Sequence, residues 1–456
     1  FFREEAACFG AATDEKIRPA YRHLHGGRHR HRQRHLFKAE KILNATGGDL
    51  RTGILAWIIG GLIAISNACA FAVMATRYQK VGGMVDYAEA AVGRAYGYYL
   101  GWFLAAVYYP CLTSTLAWVS ARYTCVLLGY DIVSGECMTI TLFYLVAAYF
   151  INTMAPRLAG KLQVSMTLIK LVPILLMAGM GTAAGLRSGM TAANFAQVTA
   201  DTVTAYPLFT ALAATAFAYE GWVVATTINA ELKDPKRTLP LALVCGVGII
   251  MLIYLFYYGG HRRSTSQRRH DGGAGAWLQG WLSPAIFGPG WGTILLSLCS
   301  SPAWHLQRAD DGLHPGILRP GGPGNRAQAS GPLPGGPLHR HDLQRGCSWT
   351  AACAFWGTYF YFGCLQNHLG PFRFDSSEIP IITLYAMYLP IFLGFMREAR
   401  EEPPFRRFVL PALALCSGLF MVIAGILSYQ WDCLYYLLFF AVFMAAGALF
   451  YKRKSL

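Results

Sequence analysis

FAYEGWVVATTINAELKDPKRTLP, residues 217–240, sets an aromatic, an acid and a glycine inside an apolar run and follows them with a basic, proline-punctuated loop. Inside a membrane span, Glu220 is a costly polar group and Gly221 a weak point in the backbone. Both are tolerated only against a cavity or a neighbouring helix. The stretch reads as a helix broken beside a binding site, not as a plain lipid-facing span.

The rest of the chain agrees with a polytopic, all-α membrane protein. Of its 456 residues 54% are hydrophobic and 14% charged, against a charged share of about 25% in soluble domains. Runs close to the ~20 residues that cross a bilayer occupy residues 53–75, 98–119, 138–155, 162–184, 203–228, 239–258, 379–395, 408–427 and 434–451. Two more, 287–301 and 351–362, are too short as they stand.

Basic residues orient the spans. They cluster at Arg77 and Lys80, at Arg157 and Lys161, at Lys233, Lys236 and Arg237, at Arg397, Arg400, Arg406 and Arg407, and at Lys452, Arg453 and Lys454. These ends share one side if one span precedes residue 53 and two lie between 258 and 379. By the positive-inside rule that side is cytoplasmic. The expectation is about twelve spans in the cell (plasma) membrane with both termini in the cytoplasm.

Twelve cysteines are scattered, several within spans (Cys69, Cys111, Cys245, Cys416), and none forms a CxxC pair. That argues against a metal site or a disulfide framework, and no cofactor is expected. Residues 1–36 lack the apolar core of a signal peptide, so insertion falls to the first true span.

Three segments break the pattern: residues 17–36, 261–284 and 303–349. Their fifteen arginines outnumber their four acids by eleven, most of the chain's net charge of +15. They read as basic, Gly/Pro-rich loops, or RHRHRQRH at 28–35 reads as a nucleic-acid or metal patch. Neither reading explains why each segment lies where a span is missing. A shifted reading frame does. Read one base later, the codons beneath residues 32–36 can encode Gly-Ser-Gly-Ile-Phe, and those back to Tyr21 an apolar helix that runs into Phe37. The codons beneath 306–318 likewise permit a span-like sequence, and those beneath 261–271 permit a less polar one. With the basic charge assigned to shifted segments, no nucleic-acid partner is expected. Low order is expected at 17–36 and 303–349, where Gly, Pro and Arg cannot build a lipid-facing helix.

With those residues in view, the chain resembles the amino acid, polyamine and organocation (APC) superfamily of amino acid permeases, nearest the L-type amino acid transporter-like bacterial branch. The resemblance covers residues 37–258 and 353–456. It rests on VGGMVDYAEAAVG at 81–93, KLQVSMTLIKLVPILL at 161–176, and FAYEGW with the NAELKDPKRTLP loop. It implies a LeuT-type fold of two inverted five-helix repeats, about twelve helices in the intact family, with the first, eighth and ninth spans damaged here. In that fold the first and sixth spans unwind at mid-membrane, where a half-helix N-terminus meets the substrate carboxylate and free carbonyls meet its ammonium.

Carried onto this chain, the resemblance makes Phe217 the aromatic that gates the substrate. Ala218, Tyr219 and Glu220 become positions whose carbonyls face the ammonium and whose side chains shape the pocket, and Gly221 the small residue that lets the backbone be approached. Trp222 stays open between the site and plain helix packing. Glu220 departs from the family pattern, which has a small residue there. It either couples a proton or selects a cationic or polar substrate, or it pairs with another helix from outside the site. Lys170 matches a lysine whose ammonium stands where sodium sits in sodium-coupled relatives; its alternative is snorkelling to the interface. Asn229, Glu231, Asp234, Lys236 and Arg237 read as a cytoplasmic loop helix with a turn at Pro235.

The resemblance implies a sodium-independent amino acid transporter or exchanger working by alternating access. Its partners are a small-molecule amino acid and the lipid bilayer, with a proton or a second amino acid as counter-substrate and the need for a partner subunit left open. The alternative is an inactive, frameshifted permease. An enzyme fits poorly, because no catalytic constellation recurs within the in-frame spans.

Overall fold

The computed structural model describes residues 41–42, 45–78, 83–128, 130–131, 134–154, 205–225, 235–264, 340–365, 369–370, 372 and 374–455, with a few isolated positions between 175 and 187. Regular structure among the described residues is entirely helical. Among the described residues five helices are long and apolar enough to cross a membrane, and three shorter apolar helices accompany them. The polytopic, all-α expectation holds. The 81–82 and 161–174 parts of the family motifs, residues 229–234, Lys170, the run 287–301, and the odd segments at 17–36, 265–284 and 303–339 lie outside the described residues.

Helix α1, Leu50–Arg77, is the centre of the bundle. Asp49 caps it, accepting from the backbone N–H of Arg51 at 3.0 Å and of Thr52 at 3.2 Å, so two otherwise orphaned donors are satisfied. After α1 come α2 (Met84–Ala91), α3 (Arg94–Phe103), a π-turn at Leu104–Tyr108 and α4 (Tyr109–Leu128). Then follow α5 (Gly135–Met154), α6 (Pro207–Tyr219), α7 (Trp222–Ala225) and α8 (Pro235–Ser264). The chain closes with α9 (Arg340–Tyr359), α10 (Ile379–Glu398), α11 (Leu410–Tyr429) and α12 (Trp431–Ser455).

Helix α1 packs against α6, α8 and α11. Close approach to α6 depends on Gly60, where a methyl group would come within 2.2 Å of Thr215 Oγ1. The seam with α11 is polar. Ser66 and Ser417 hydroxyls lie 2.6 Å apart, and Asn67 Nδ2 donates to Ser417 Oγ at 3.1 Å, the kind of hydrogen bonding that joins helices where apolar burial drives nothing. By contrast α12 exposes Leu434, Leu437, Leu438 and Val442, as a helix against lipid should.

Ion pairs at both ends show that α1 and α10 run parallel. Lys41, just ahead of α1, pairs with Asp375 and Glu378, just ahead of α10. Arg77, at the end of α1, lies 3.7 Å from Glu401, just beyond the end of α10. Helix α11 returns antiparallel, bringing Tyr429 back to Glu378.

Three boundaries differ from the sequence reading. Pro235 is the first residue of α8 rather than a loop turn, so Lys236 and Arg237 sit in a helical first turn. Proline suits that position because its missing N–H would have no intrahelical partner there. The same helix runs on through His261, Arg262 and Arg263, the start of an odd segment. Helix α9 starts at Arg340, inside another segment expected to lack order, and continues through a π-turn at Phe360–Leu365. The short apolar run at 351–362 is therefore part of a much longer helix. Once a nucleus exists, each added turn is nearly free of nucleation cost, and residues 340–345 contain neither Gly nor Pro to stop it.

Candidate functional site

The break foreseen at FAYEGW is present. Pro207 opens α6 and the helix stops at Tyr219. Glu220 and Gly221 form a turn, and α7 resumes at Trp222, with the Val223 N–H donating to the Glu220 carbonyl at 3.1 Å. Gly221 is exposed, and a Cβ placed on it would meet none of the described residues within 4 Å. Among the described residues nothing covers the backbone at Gly221, which is what a ligand approaching main-chain groups requires.

The side chains around this turn go to different places. Tyr219 is buried and donates to the Trp57 carbonyl at 2.9 Å, its ring edge-on to both Trp57 and Tyr254. It ties α6 to α1 and α8. Trp222 packs on Phe71 and Tyr388, with ring centroids 5.5 and 6.1 Å away. Phe217 and Ala218 are half-buried against the same core. The side chains of Tyr219 and Trp222 are thus occupied in packing, while the main chain of all six residues stays together at the break.

Glu220 is 2% exposed. Its Oε1 accepts from the Tyr108 hydroxyl at 2.8 Å, and its Oε2 has no hydrogen-bond partner among the described residues. Tyr108 ends the π-turn that interrupts the α3–α4 helix, a device that re-aims a side chain at functional positions. Tyr109 stands edge-on to Tyr108, and Tyr388 packs on Trp222 at the break and on Tyr385. The Tyr388 hydroxyl also has no partner among the described residues. A buried acid with one oxygen held by a tyrosine hydroxyl and the other without a described partner is well made to accept from a hydrogen-bond donor.

Sequence reasoning missed Tyr108 and Tyr388. The one available signal for Tyr108 was the Tyr108-Tyr109-Pro110 run in an otherwise apolar span. No group of three or more metal-ligating side chains occurs among the described residues.

The profile of the amino acid permease family matches residues 36–279. The chain belongs to that family. It is similar to the serine/threonine exchanger SteT of Bacillus subtilis, 28% identical over 212 residues that make up 46% of this chain and 47% of that protein. It is similar to the mouse b(0,+)-type amino acid transporter 1, 25% identical over 224 residues, 48% of this chain and 45% of that one. The human cystine/glutamate transporter is 23% identical over 225 residues, 48% and 44% of the two chains. The chain thus matches just under half the length of these relatives. The relatives are amino acid transporters and an exchanger, and the chain is a member of the amino acid permease family of the APC superfamily with membrane-spanning helices.

Proposed function

We propose that the protein is a secondary, sodium-independent amino acid transporter, a permease or exchanger that works by alternating access. The observation that carries this is the break at Glu220 and Gly221, with none of the described residues over Gly221, in a chain of the amino acid permease family. In this reading the Phe217–Trp222 main chain receives the substrate's ammonium, and Phe217 gates it. Both termini lie in the cytoplasm, and the fold is the two-repeat, twelve-span arrangement of the intact family.

Glu220 selects the substrate's side chain. Tyr108 holds one carboxylate oxygen and leaves the other without a described partner, which favours a side chain that donates a hydrogen bond. The serine/threonine exchanger among the relatives is in keeping with a hydroxyl side chain and with amino acid exchange. Lys170 replaces sodium.

Uptake of radiolabelled serine into proteoliposomes should be unchanged when choline replaces sodium, and Phe217→Ala should lower it at least tenfold. Sodium-dependent uptake would remove the role given to Lys170. Normal uptake by Phe217→Ala would remove the gate.

A second reading, that the chain as written is an inactive, frameshifted permease, is favoured by where the family match lies. It starts at residue 36, where the first odd segment ends, and leaves the third segment unmatched, although it runs through residues 261–279 of the second. Sequencing the coding DNA and testing a frame-restored gene beside the original separates the two.

A further inference from the structure

Lys41 is a cation held by two carboxylates, one of them fully buried, at one end of the bundle. Its Nζ lies 2.8 Å from Asp375 Oδ2 and 2.7 Å from Glu378 Oε2. The Glu378 side chain is only 1% exposed, and Lys41 and Asp375 are about three-quarters covered. Tyr429, from the end of α11, donates to the same Glu378 oxygen. Burial alone would lower the Lys41 pKa, but Asp375 and Glu378 more than reverse this and hold it above the usual lysine range. Asp375 is itself braced by the backbone N–H and hydroxyl of Ser377. Three separate stretches of chain, around 41, 375–378 and 429, are drawn to one point.

The other end of the same helices is different. Arg77 and Glu401 sit 3.7 Å apart with Glu401 88% exposed, and such surface pairs contribute little. Helix α10 has 20 residues, so the two ends stand roughly 30 Å apart. The loose end carries Arg397, Arg400, Arg406 and Arg407 and is cytoplasmic by the positive-inside rule. The tight end is the outer one. A buried pair that loses one partner leaves an uncompensated charge, so the outer contact resists opening far more than the inner one.

We propose that Lys41 is a positioning residue that latches the segment ahead of α1 to the start of α10 and the end of α11, closing the outer side of the transporter. The latch rests on the alternating-access reading, because only a protein that opens outward has to release it. Lys41 touches no substrate; it acts by setting where the segment next to the first span stands.

The test is hydrogen–deuterium exchange of the full chain in lipid nanodiscs. Lys41→Met and Glu378→Gln should each speed exchange in peptides covering 41–50 and 374–382 at least tenfold, with α12 unchanged. Lys41→Arg should restore the slow rate. Unchanged exchange at 41–50 and 374–382 would overturn the latch. Faster exchange throughout, α12 included, would also overturn it, since that marks a global structural brace. Amino acid binding by the unmodified chain, read separately as a thermal shift with serine, fails if the transport reading is wrong and leaves the exchange result standing.

Discussion

Glu220→Gln is expected to cut uptake of a hydroxyl-bearing amino acid at least tenfold while leaving the protein folded. The amide oxygen can still accept from the Tyr108 hydroxyl, so the 2.8 Å contact between the π-turn and the helix break survives. What is lost is the second oxygen as an acceptor, the group assigned to the substrate's side chain, because an amide NH2 takes its place and can only donate. Glu220→Ala should do more harm. It strands the Tyr108 hydroxyl in a buried site, at a cost of about 1–3 kcal/mol, and so lowers thermal stability as well as uptake. Tyr108→Phe completes the comparison, removing the donor while keeping the ring and its edge-on contact with Tyr109 at 5.1 Å. Serine uptake by Glu220→Gln at the unmodified rate would show that the acid serves packing alone.

The largest loss of stability is expected at Gly394. A methyl group there would stand 2.1 Å from the Ala91 carbonyl oxygen and 2.7 Å from its carbon. Both atoms belong to the backbone at the end of α2, so no side chain can rotate away and the helices themselves must part. Overpacking of this kind costs about 1–3 kcal/mol, sometimes more. Gly394→Ala should therefore lower the unfolding temperature in detergent by several degrees. Gly246→Ala is the matched control, because a methyl on that helical glycine meets nothing within 4 Å. It should hold stability or raise it, since alanine is favoured over glycine in a helix by about 1 kcal/mol. Equal behaviour of the two variants would mean that α2 and α10 do not pack as described.

Much of this architecture could be read from the sequence, because lipid imposes a simple rule on it. A span must be apolar for some twenty residues, and an acid followed by a glycine in such a run stands out without any knowledge of neighbours. For that reason both the spans and the break at Glu220 and Gly221 were legible. Side-chain partnerships were not. Tyr108 and Glu220 are 112 residues apart, and Lys41 and Glu378 are 337 apart. Nothing in local pattern links such pairs. Tyr219 shows the same limit from the other side. Its place in the motif suggested a pocket wall, yet its ring and hydroxyl are spent on Trp57 and Tyr254. Helix ends were also hard to place. Pro235 resembles a turn residue and begins a helix, and the polar start of α9 follows from propagation out of an apolar helix rather than from its own composition.

The most direct measurement is trans-stimulated uptake: proteoliposomes preloaded with unlabelled serine, radiolabelled serine outside, no sodium, and the frame-restored chain compared with the chain as encoded and with Glu220→Gln in the frame-restored background. Uptake by the frame-restored chain, driven by the internal amino acid and lost in Glu220→Gln, is the expected result. Absence of amino acid uptake by every chain, across a panel of hydroxyl, cationic and neutral substrates, would contradict the assignment of the helix break as a substrate site.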